Sequence, residues 1–141
     1  MKRILLGILF TILGSILVLG NEINGYKVLR VIDGDTIEVE ALFLPKELKQ
    51  VLHLRVYGVD TPEKGKLAKC DIERQRSLEA KDFVQREISL SKSYKVLFYK
   101  WDKYGGRVLG DIILDGKKLS HILLENGYAV EYDGGKKKGW C

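Results

Sequence analysis

Alternation of apolar and polar residues predicts β-strands along much of the chain. The segments that alternate, or that are rich in β-branched and aromatic residues, are 26–32, 36–40, 51–60, 94–100 and 108–114. A helical spacing of apolar residues marks segments 71–90 and 118–126. In the longer of the two, one face carries Ala80, Phe83, Val84 and Ile88.

The order of these segments predicts a mainly β protein with helices, of the α+β class. Three strands come first, a long helix follows, and two strands and a second helix complete the chain. Five strands in short meanders, with a helix between the third and the fourth, are typical of an OB-fold. We therefore expect a five-stranded, partly open OB-fold barrel with two to three helices. Such barrels often bind oligonucleotides, but the fold alone does not determine the chemistry.

The first twenty residues differ in composition from the rest. Lys2 and Arg3 precede an apolar run without charge from Ile4 to Gly20, which is the layout of a secretory signal peptide. The run is also just long enough for an N-terminal membrane anchor, and both interpretations remain open. We expect residues 21–141 to form the folded domain. It would be secreted or lie in the cell envelope or periplasm, or be anchored in the membrane and face outside the cytoplasm.

The balance of charge gives a weaker indication. The 141 residues carry 24 basic and 19 acidic side chains, a formal net charge of +5. Two of the positive charges belong to the first twenty residues, so the remainder is only moderately basic. This balance fits a polyanionic partner such as nucleic acid without requiring one. The composition, with 30% charged and 45% hydrophobic residues, is that of a folded chain and excludes a disordered one.

Four acidic residues stand at the ends of predicted strands. Asp33 and Asp35 flank Gly34 between the first two strands, and Asp60 and Glu63 follow the third. An Asp-Gly pair can be simply a hairpin turn, in which glycine accepts the positive φ that a tight turn needs. However, several carboxylates without a neighbouring cysteine or histidine also form the oxygen-rich set that Ca²⁺ or Mg²⁺ prefers.

Two arginines accompany these acids. Arg55 lies on the third predicted strand and Arg107 follows a glycine-containing turn. A cation and guanidinium groups neutralise the charge that develops on phosphoryl oxygens, while a carboxylate positions or deprotonates water. Arginine suits this task better than lysine because its planar fork pairs with two oxygens at once. The combination predicts a site that acts on a phosphodiester.

Three segments carry a resemblance to a known family. "VIDGDT", "LRVYGVDTPE" and "DKYGGR" occur in the order and at the spacing of the signature segments of the staphylococcal nuclease (thermonuclease) family. The resemblance runs from about residue 26 to 133. It implies an SNase-like OB-fold domain and an exported, calcium-dependent endonuclease that hydrolyses phosphodiester bonds of DNA and RNA. It further implies low sequence specificity, 3′-phosphate products, a preference for single-stranded or frayed substrates, and a monomer.

The resemblance also implies roles for individual residues. The calcium ligands would be Asp35, Asp60 and the backbone carbonyl of Thr61, with Asp33 supporting the metal site without direct ligation. Glu63 would act as general base on the attacking water. The pair that holds and stabilises the phosphate would be Arg55 and Arg107, and the substrate-binding residues would be Lys103 and Tyr104. The second glycine before Arg107 departs from the simplest family pattern and leaves the reach of that side chain open.

Other features of the sequence allow more than one interpretation. The main alternative function is a catalytically inactive OB-fold module that binds nucleic acid. Cys70 and Cys141 predict a disulfide if the chain is exported, and two free thiols are the alternative. Tyr99 and Trp101 could stack on bases, although packing in the core or at its rim is the more common role of such residues.

Overall fold

The computed structural model describes residues 26–141. The strands are β1 (Val28–Asp33), β2 (Thr36–Glu40), β3 (Val51–Val56), β4 (Val59–Asp60), β5 (Tyr94–Trp101), β6 (Arg107–Leu114), β7 (Lys117–Lys118) and β8 (Val130–Glu131). The helices are α1 (Asp71–Leu90) and α2 (Leu119–Glu125), with a single 3₁₀ turn at Gly65–Leu67. The prediction of an α+β chain with a long helix between the third and fourth long strands is confirmed.

The main sheet has the strand order β1-β2-β3-β6-β5, and β7 pairs with β6. All neighbours are antiparallel except β3 and β6, which run in parallel and bring His53 opposite Arg107. The sheet is not closed, since β1 and β5 do not pair with each other in the described part of the chain. The Tyr94 hydroxyl accepts a hydrogen bond from the amide of Val28 at 3.1 Å and so connects the two edges. This arrangement is a partly open OB-like fold.

The core lies between the sheet and the two helices. Fully buried side chains come from the sheet and from the helices, and the largest are Ile37, Leu54, Ile112, Leu119 and Leu123. The predicted apolar face of α1 points inward, where Phe83 stacks on Tyr128 with 4.2 Å between ring centroids. α2 begins where buried Asp111 accepts hydrogen bonds from the amide and hydroxyl of Ser120.

The turn between β1 and β2 corrects one expectation. Gly34 does not adopt a positive φ, although the Asp-Gly pair suggested a turn that needs one. Its lack of a side chain matters for packing instead. A Cβ at this position would lie 2.9 Å from the Cβ of Ala80 on α1 and 3.0 Å from that of Thr61. Glycine therefore lets the first turn, the segment after β4 and the long helix approach one another closely.

The predicted signal peptide or anchor at residues 1–20 lies outside the described residues. Within residues 26–141, neither helix is both long and apolar enough to cross a membrane.

Candidate active site

Arg55 is the buried centre of the site. One terminal nitrogen, Nη1, donates hydrogen bonds to the carbonyls of Val56 and Val59, each at 2.8 Å. The other, Nη2, lies 3.1 Å from Oδ2 of Asp35 and 3.6 Å from Oδ1 of Asp60. The guanidinium is thus fixed by the turn that follows β3 and faces two of the predicted metal ligands. Burial of a charged group is tolerated here because two opposite charges and two carbonyls surround it.

The turn between β1 and β2 places Asp35 against this arginine. Its Oδ2 accepts a hydrogen bond from the amide of Thr61 at 3.0 Å, and its Oδ1 accepts one from the hydroxyl of Thr36 at 3.1 Å. Asp33 stands behind it and accepts a hydrogen bond from the amide of Asp35 at 3.2 Å. Burial and the adjacent charge of Asp35 raise the pKa of Asp33 to about 6. The structure thus brings the two aspartates together, with Asp35 nearer to the arginine.

Asp60, at the end of β4, is 2% exposed. Its Oδ2 accepts a hydrogen bond from the indole of Trp140 at 3.3 Å. Its Oδ1 is buried and has no hydrogen-bond partner, although the ammonium of Lys137 lies 3.0 Å away in an ion pair. A buried carboxylate oxygen with spare acceptor capacity is costly unless a cation is close to it. This oxygen is therefore suited to an electropositive ligand.

Glu63 is carried by the loop between β4 and α1, and its side chain is 30% exposed. Buried Glu73 supports this loop by accepting hydrogen bonds from the amides of Glu63 at 3.1 Å and Lys69 at 2.7 Å. These bonds hold the pKa of Glu73 below its ordinary value, the bond from Lys69 having the largest effect, while burial opposes them. This role of Glu73 was not predicted from the sequence, because its partners are backbone amides.

Arg107 enters the site from the start of β6. Its Nε and Nη2 both lie 2.6 Å from Oδ2 of Asp102, so the carboxylate holds the guanidinium in one orientation. Burial raises the pKa of Asp102, but the hydrogen bonds from Arg107 and the charge of that arginine lower it more, and the net shift is downward. The Arg107 guanidinium carbon also lies 5.9 Å from the ring centroid of Tyr104. Gly106 before it adopts φ +73°, a conformation that favours glycine, so the additional glycine forms the turn into β6.

Lys103 and Tyr104 lie at the rim of the site. The ammonium of Lys103 is 5.2 Å from the ring centroid of Tyr104 and donates a hydrogen bond to the carbonyl of Gly134 at 3.4 Å. Tyr104 is 67% exposed. An exposed aromatic ring flanked by cations can stack on a base while the cations meet phosphates.

One open cleft of about 860 Å³ brings most of these residues together. Its lining includes the predicted site residues Asp35, Arg55, Glu63, Lys103, Tyr104 and Arg107. Asp60 lines an adjoining cavity of about 500 Å³, which shares Tyr57, Gly58 and Val59 with the cleft. These predicted residues thus line two adjoining cavities, although they come from segments far apart in the sequence. Asp33 and Thr61 line neither cavity, and both are connected to the site through Asp35.

The C-terminal segment crosses this surface. Cys70, at the start of α1, and Cys141 form a disulfide with 6.0 Å between their Cα atoms. Between this bond and β8, Lys137 forms ion pairs with both Asp60 and Glu63. Burial lowers the pKa of Lys137, but the hydrogen bond with Glu63 and the nearby negative charges raise it more. Neither Lys137 nor Trp140 was predicted as a site residue, since the path of this segment depends on the disulfide.

The donor set at Asp35 and Asp60 is compatible with a hard divalent cation. It offers carboxylate oxygens without sulfur or imidazole, which is the preference of Ca²⁺. Among the described residues, one group places three ligating atoms within 4.8 Å of one another: Cys70, Glu73 and Cys141. Its two sulfurs are joined in the disulfide and are not thiolate ligands. The oxygen-rich end of the cleft is the better candidate.

Comparison with known proteins identifies the family. The sequence profile described as "Staphylococcal nuclease homologue" matches residues 53–139, which is more than half of the chain. The chain belongs to the staphylococcal nuclease family. The matched segment contains Arg55, Asp60, Thr61, Glu63 and Arg107, and the turn with Asp33 and Asp35 precedes it. The predicted family is therefore confirmed.

Curated relatives of this family carry nuclease names. An uncharacterized endonuclease of Escherichia coli is 32% identical over 117 residues, covering 82% of this chain and 65% of that protein. A thermonuclease of Staphylococcus hyicus is 38% identical over 106 residues, or 74% of this chain and 57% of its own length. A probable endonuclease of Yarrowia lipolytica is 34% identical over 89 residues, which cover 61% of this chain and 38% of that protein. The chain thus spans less than two thirds of the length of these relatives.

Proposed function

We propose that the chain is a calcium-dependent endonuclease that hydrolyses the phosphodiester bonds of DNA and RNA. The observation that carries this proposal is the position of Arg55, which faces Asp35 and Asp60 and lines the same cleft as Glu63 and Arg107. A metal-binding end, fixed guanidinium groups and a partly exposed carboxylate are the components that phosphodiester hydrolysis needs. The nuclease names of the family relatives support the same conclusion.

In this proposal, the carboxylates of Asp35 and Asp60 and the carbonyl of Thr61 hold Ca²⁺. When bound, the ion polarises a phosphoryl oxygen and neutralises charge that develops on it. Asp33 supports the turn through the amide of Asp35. Oδ1 of Asp60 lies next to the cations of Lys137 and Arg55, so its surroundings already favour a positive charge at this oxygen.

The side chains of the cleft then carry out the reaction. Glu63 accepts a proton from the attacking water, and it can do so because its carboxylate is partly open to solvent. Arg55 and Arg107 stabilise the negative charge on the phosphoryl oxygens, and each is held in place by carboxylates before substrate arrives. The water oxygen bonds to phosphorus, the bond from phosphorus to the 5′ oxygen breaks, and that oxygen takes up a proton from solvent, so the phosphate stays on the 3′ side. Lys103 and Tyr104 bind the nucleotide next to the reacting bond.

We further infer low sequence specificity and a single-stranded or frayed substrate. The rim of the cleft carries lysines and an exposed tyrosine, which suit phosphates and base faces rather than the edges of paired bases. We propose a monomer that works outside the cytoplasm, either released or anchored through residues 1–20. The Cys70–Cys141 disulfide supports this location, because such bonds persist in oxidising compartments.

The test is release of acid-soluble nucleotides from single-stranded DNA and RNA by the full chain, with Ca²⁺, with Mg²⁺ and with EDTA. We expect release with Ca²⁺ only, and a loss of about 100-fold in Glu63→Gln because general-base catalysis is removed. Glu47→Gln, in an exposed loop between β2 and β3, is the matched control and should retain activity. Tight binding of DNA without release under any condition would instead establish the alternative, an inactive binding module.

A further inference from the structure

Two tyrosines and two lysines outside the predicted site form an exposed group beside the cleft. Tyr57, in the turn after β3, is 48% exposed, and Tyr99, on β5, is 44% exposed. Their ring centroids are 5.9 Å apart and their planes are nearly perpendicular, at 84°. The ammonium of Lys100 lies 5.3 Å from the centroid of Tyr57, and that of Lys118 lies 5.9 Å from the centroid of Tyr99. These four residues are called here the tyrosine–lysine surface.

The backbone exposes this group through an irregularity in β5. Pairing of β5 with β6 shifts register between Phe98 and Lys100, so Tyr99 is an extra residue without a partner on β6. A bulge of this kind bends the strand and redirects the side chains around it. Tyr99 therefore does not pack in the core or against its rim, which was the more common role expected for it.

The electrostatics of the surface favour an anionic ligand. Neither Lys100 nor Lys118 forms a salt bridge within residues 26–141, whereas Arg55 and Arg107 are both engaged by carboxylates. The positive charge of the two lysines is consequently available to a ligand. Two exposed tyrosine rings add faces on which flat groups can stack.

The tyrosine–lysine surface is continuous with the cleft. Tyr57 and Lys100 line the cleft itself, together with Glu63 and Arg107. Tyr57 also lines the adjoining cavity of about 500 Å³, so this residue lies where the two cavities meet. A nucleic-acid strand whose scissile phosphate lies between Arg55 and Arg107 can therefore extend over Tyr57 to Tyr99 while it remains on the protein surface.

We propose that the tyrosine–lysine surface binds unpaired nucleotides of a single-stranded nucleic acid beyond the scissile bond. The bases stack on Tyr57 and Tyr99, and the phosphates between them contact Lys100 and Lys118. Any base can stack on an aromatic face, and lysines contact phosphates whatever the base. The surface therefore makes longer oligonucleotides bind more tightly without discriminating between sequences. The position of the scissile bond in this inference rests on the proposed nuclease function, but binding by the surface does not.

The test measures binding of fluorescein-labelled oligothymidylate to the full chain in EDTA, where the strand is not cleaved. An oligonucleotide of about twelve residues is long enough to cover the cleft and the surface, and one of about three covers the cleft alone. We expect Tyr99→Ser to weaken the longer ligand by about fivefold or more, the effect of losing one stacked base. The shorter ligand should bind with unchanged affinity, and Tyr99→Phe should bind both like the wild type.

Salt dependence tests the lysines. Lys118→Ala should reduce the slope of log K against log salt for the longer ligand by about 0.7, the loss of one phosphate contact on a single strand. Lys46→Ala is the matched control, since Lys46 is exposed in the loop between β2 and β3 and lines neither the cleft nor the adjoining cavity. Its slope should equal that of the wild type.

The outcomes separate the two proposals. Equal binding of the longer ligand by wild type and Tyr99→Ser would overturn the tyrosine–lysine surface, whether or not the protein cleaves DNA with Ca²⁺. Duplex DNA that binds as tightly as the single strand, with the same dependence on Tyr99, would also overturn it. Absence of cleavage with a retained Tyr99 effect would overturn the nuclease function and leave the surface as a binding site.

Discussion

The ammonium of Lys137 lies 3.0 Å from Oδ1 of Asp60 and also contacts Glu63. It thus joins a proposed calcium ligand to the proposed general base, in a segment attached to α1 by a disulfide. A divalent cation that binds Asp60 would share this oxygen with a positive charge already beside it. The lysine and the ion are therefore expected to compete for the same carboxylate.

This relationship predicts that Lys137→Met binds Ca²⁺ more tightly than the wild type. The lysine side chain is 41% exposed, so solvent screens the ion pair and the gain should be about fivefold, or roughly 1 kcal/mol. Titration calorimetry without nucleic acid measures the affinity directly. Lys138→Met, which removes a neighbouring exposed charge, should leave it unchanged. Equal calcium affinities of Lys137→Met and wild type would contradict the competition.

Replacement of Arg55 by lysine should lower turnover on single-stranded DNA by about 100-fold, because charge stabilisation at the phosphoryl oxygens depends on the planar fork. A lysine also cannot donate to the carbonyls of Val56 and Val59 while facing Asp35, so the free energy of unfolding should fall as well. Initial rates with Ca²⁺ and urea unfolding separate the two effects. Arg86→Lys, exposed on α1, serves as control. Turnover of Arg55→Lys within about threefold of the wild type would exclude the proposed role.

Loss of the Cys70–Cys141 disulfide should destabilise the protein by about 4 kcal/mol, from the loop-closure entropy of a cross-link that spans 71 residues. Cys70 also caps α1, where its sulfur accepts a hydrogen bond from the amide of Glu73 at 3.4 Å. Serine is itself a good capping residue, so Cys70→Ser isolates the effect of the cross-link. Urea unfolding of wild type, Cys70→Ser and Cys141→Ser, each with and without dithiothreitol, provides the comparison. A reductant that leaves the wild-type midpoint unchanged would argue against the bond.

Gly34→Ala should destabilise the protein by about 1–3 kcal/mol, since its Cβ would lie within 3.0 Å of Ala80 and Thr61. The same change should weaken calcium binding, because it pushes the segments that carry Asp35 and Asp60 apart. Gly105→Ala is the control: its Cβ would meet no atom within 4 Å and its φ is not positive. Unfolding and calorimetry measure the two consequences. A Gly34→Ala protein as stable as Gly105→Ala would show that the close approach is not required.

Glu73 predicts an acid-dependent loss of stability. Hydrogen bonds from the amides of Lys69 and Glu63 place its folded-state pKa below the ordinary value of 4.5. The folded protein therefore holds the proton more weakly than the unfolded chain, and this contribution is complete above the unfolded pKa and lost as pH falls through the folded one. Urea unfolding of wild type and Glu73→Gln is measured in steps from about pH 6 to 3. The difference between their free energies of unfolding should become smaller as the pH falls. A difference that is constant with pH would assign the effect to packing instead.

The sequence predicts the regular elements of this chain well. The long helix occupies Asp71–Leu90, as its apolar spacing indicates, and Ala80, Phe83 and Val84 are buried. Helical spacing is a local property that survives folding because one face must meet the core. The predicted strand over 51–60 is divided in the structure into β3 and β4 by a turn at residues 57 and 58. The two-residue strands β7 and β8 were not predicted, since two residues are too few to form a periodic pattern.

The site is harder to derive from sequence, because its decisive contacts join distant segments. Motif position indicated Asp35, Arg55 and Asp60, but alternation along β3 did not indicate that Arg55 would be buried among carbonyls. Asp102 lay within a quoted motif, yet its bond to Arg107 depends on how the turn folds back. Lys137 lies in a lysine-rich C-terminal segment, but its pairing with Glu63 could not be predicted because the two residues are far apart in the sequence. Glu73 carried no signal, since its partners are backbone amides.

The parallel pairing of β3 with β6 has a consequence for the order of events during refolding. Pairing of the strands that carry Arg55 and Arg107 closes a loop of residues 57–106, whereas β1, β2 and β3 pair through short connections. Contacts between distant segments form slowly, because loop-closure entropy is lost before they are gained. Helical circular dichroism should consequently recover sooner than cleavage when the denatured chain is diluted into buffer, and recovery of cleavage should mark the last cooperative step.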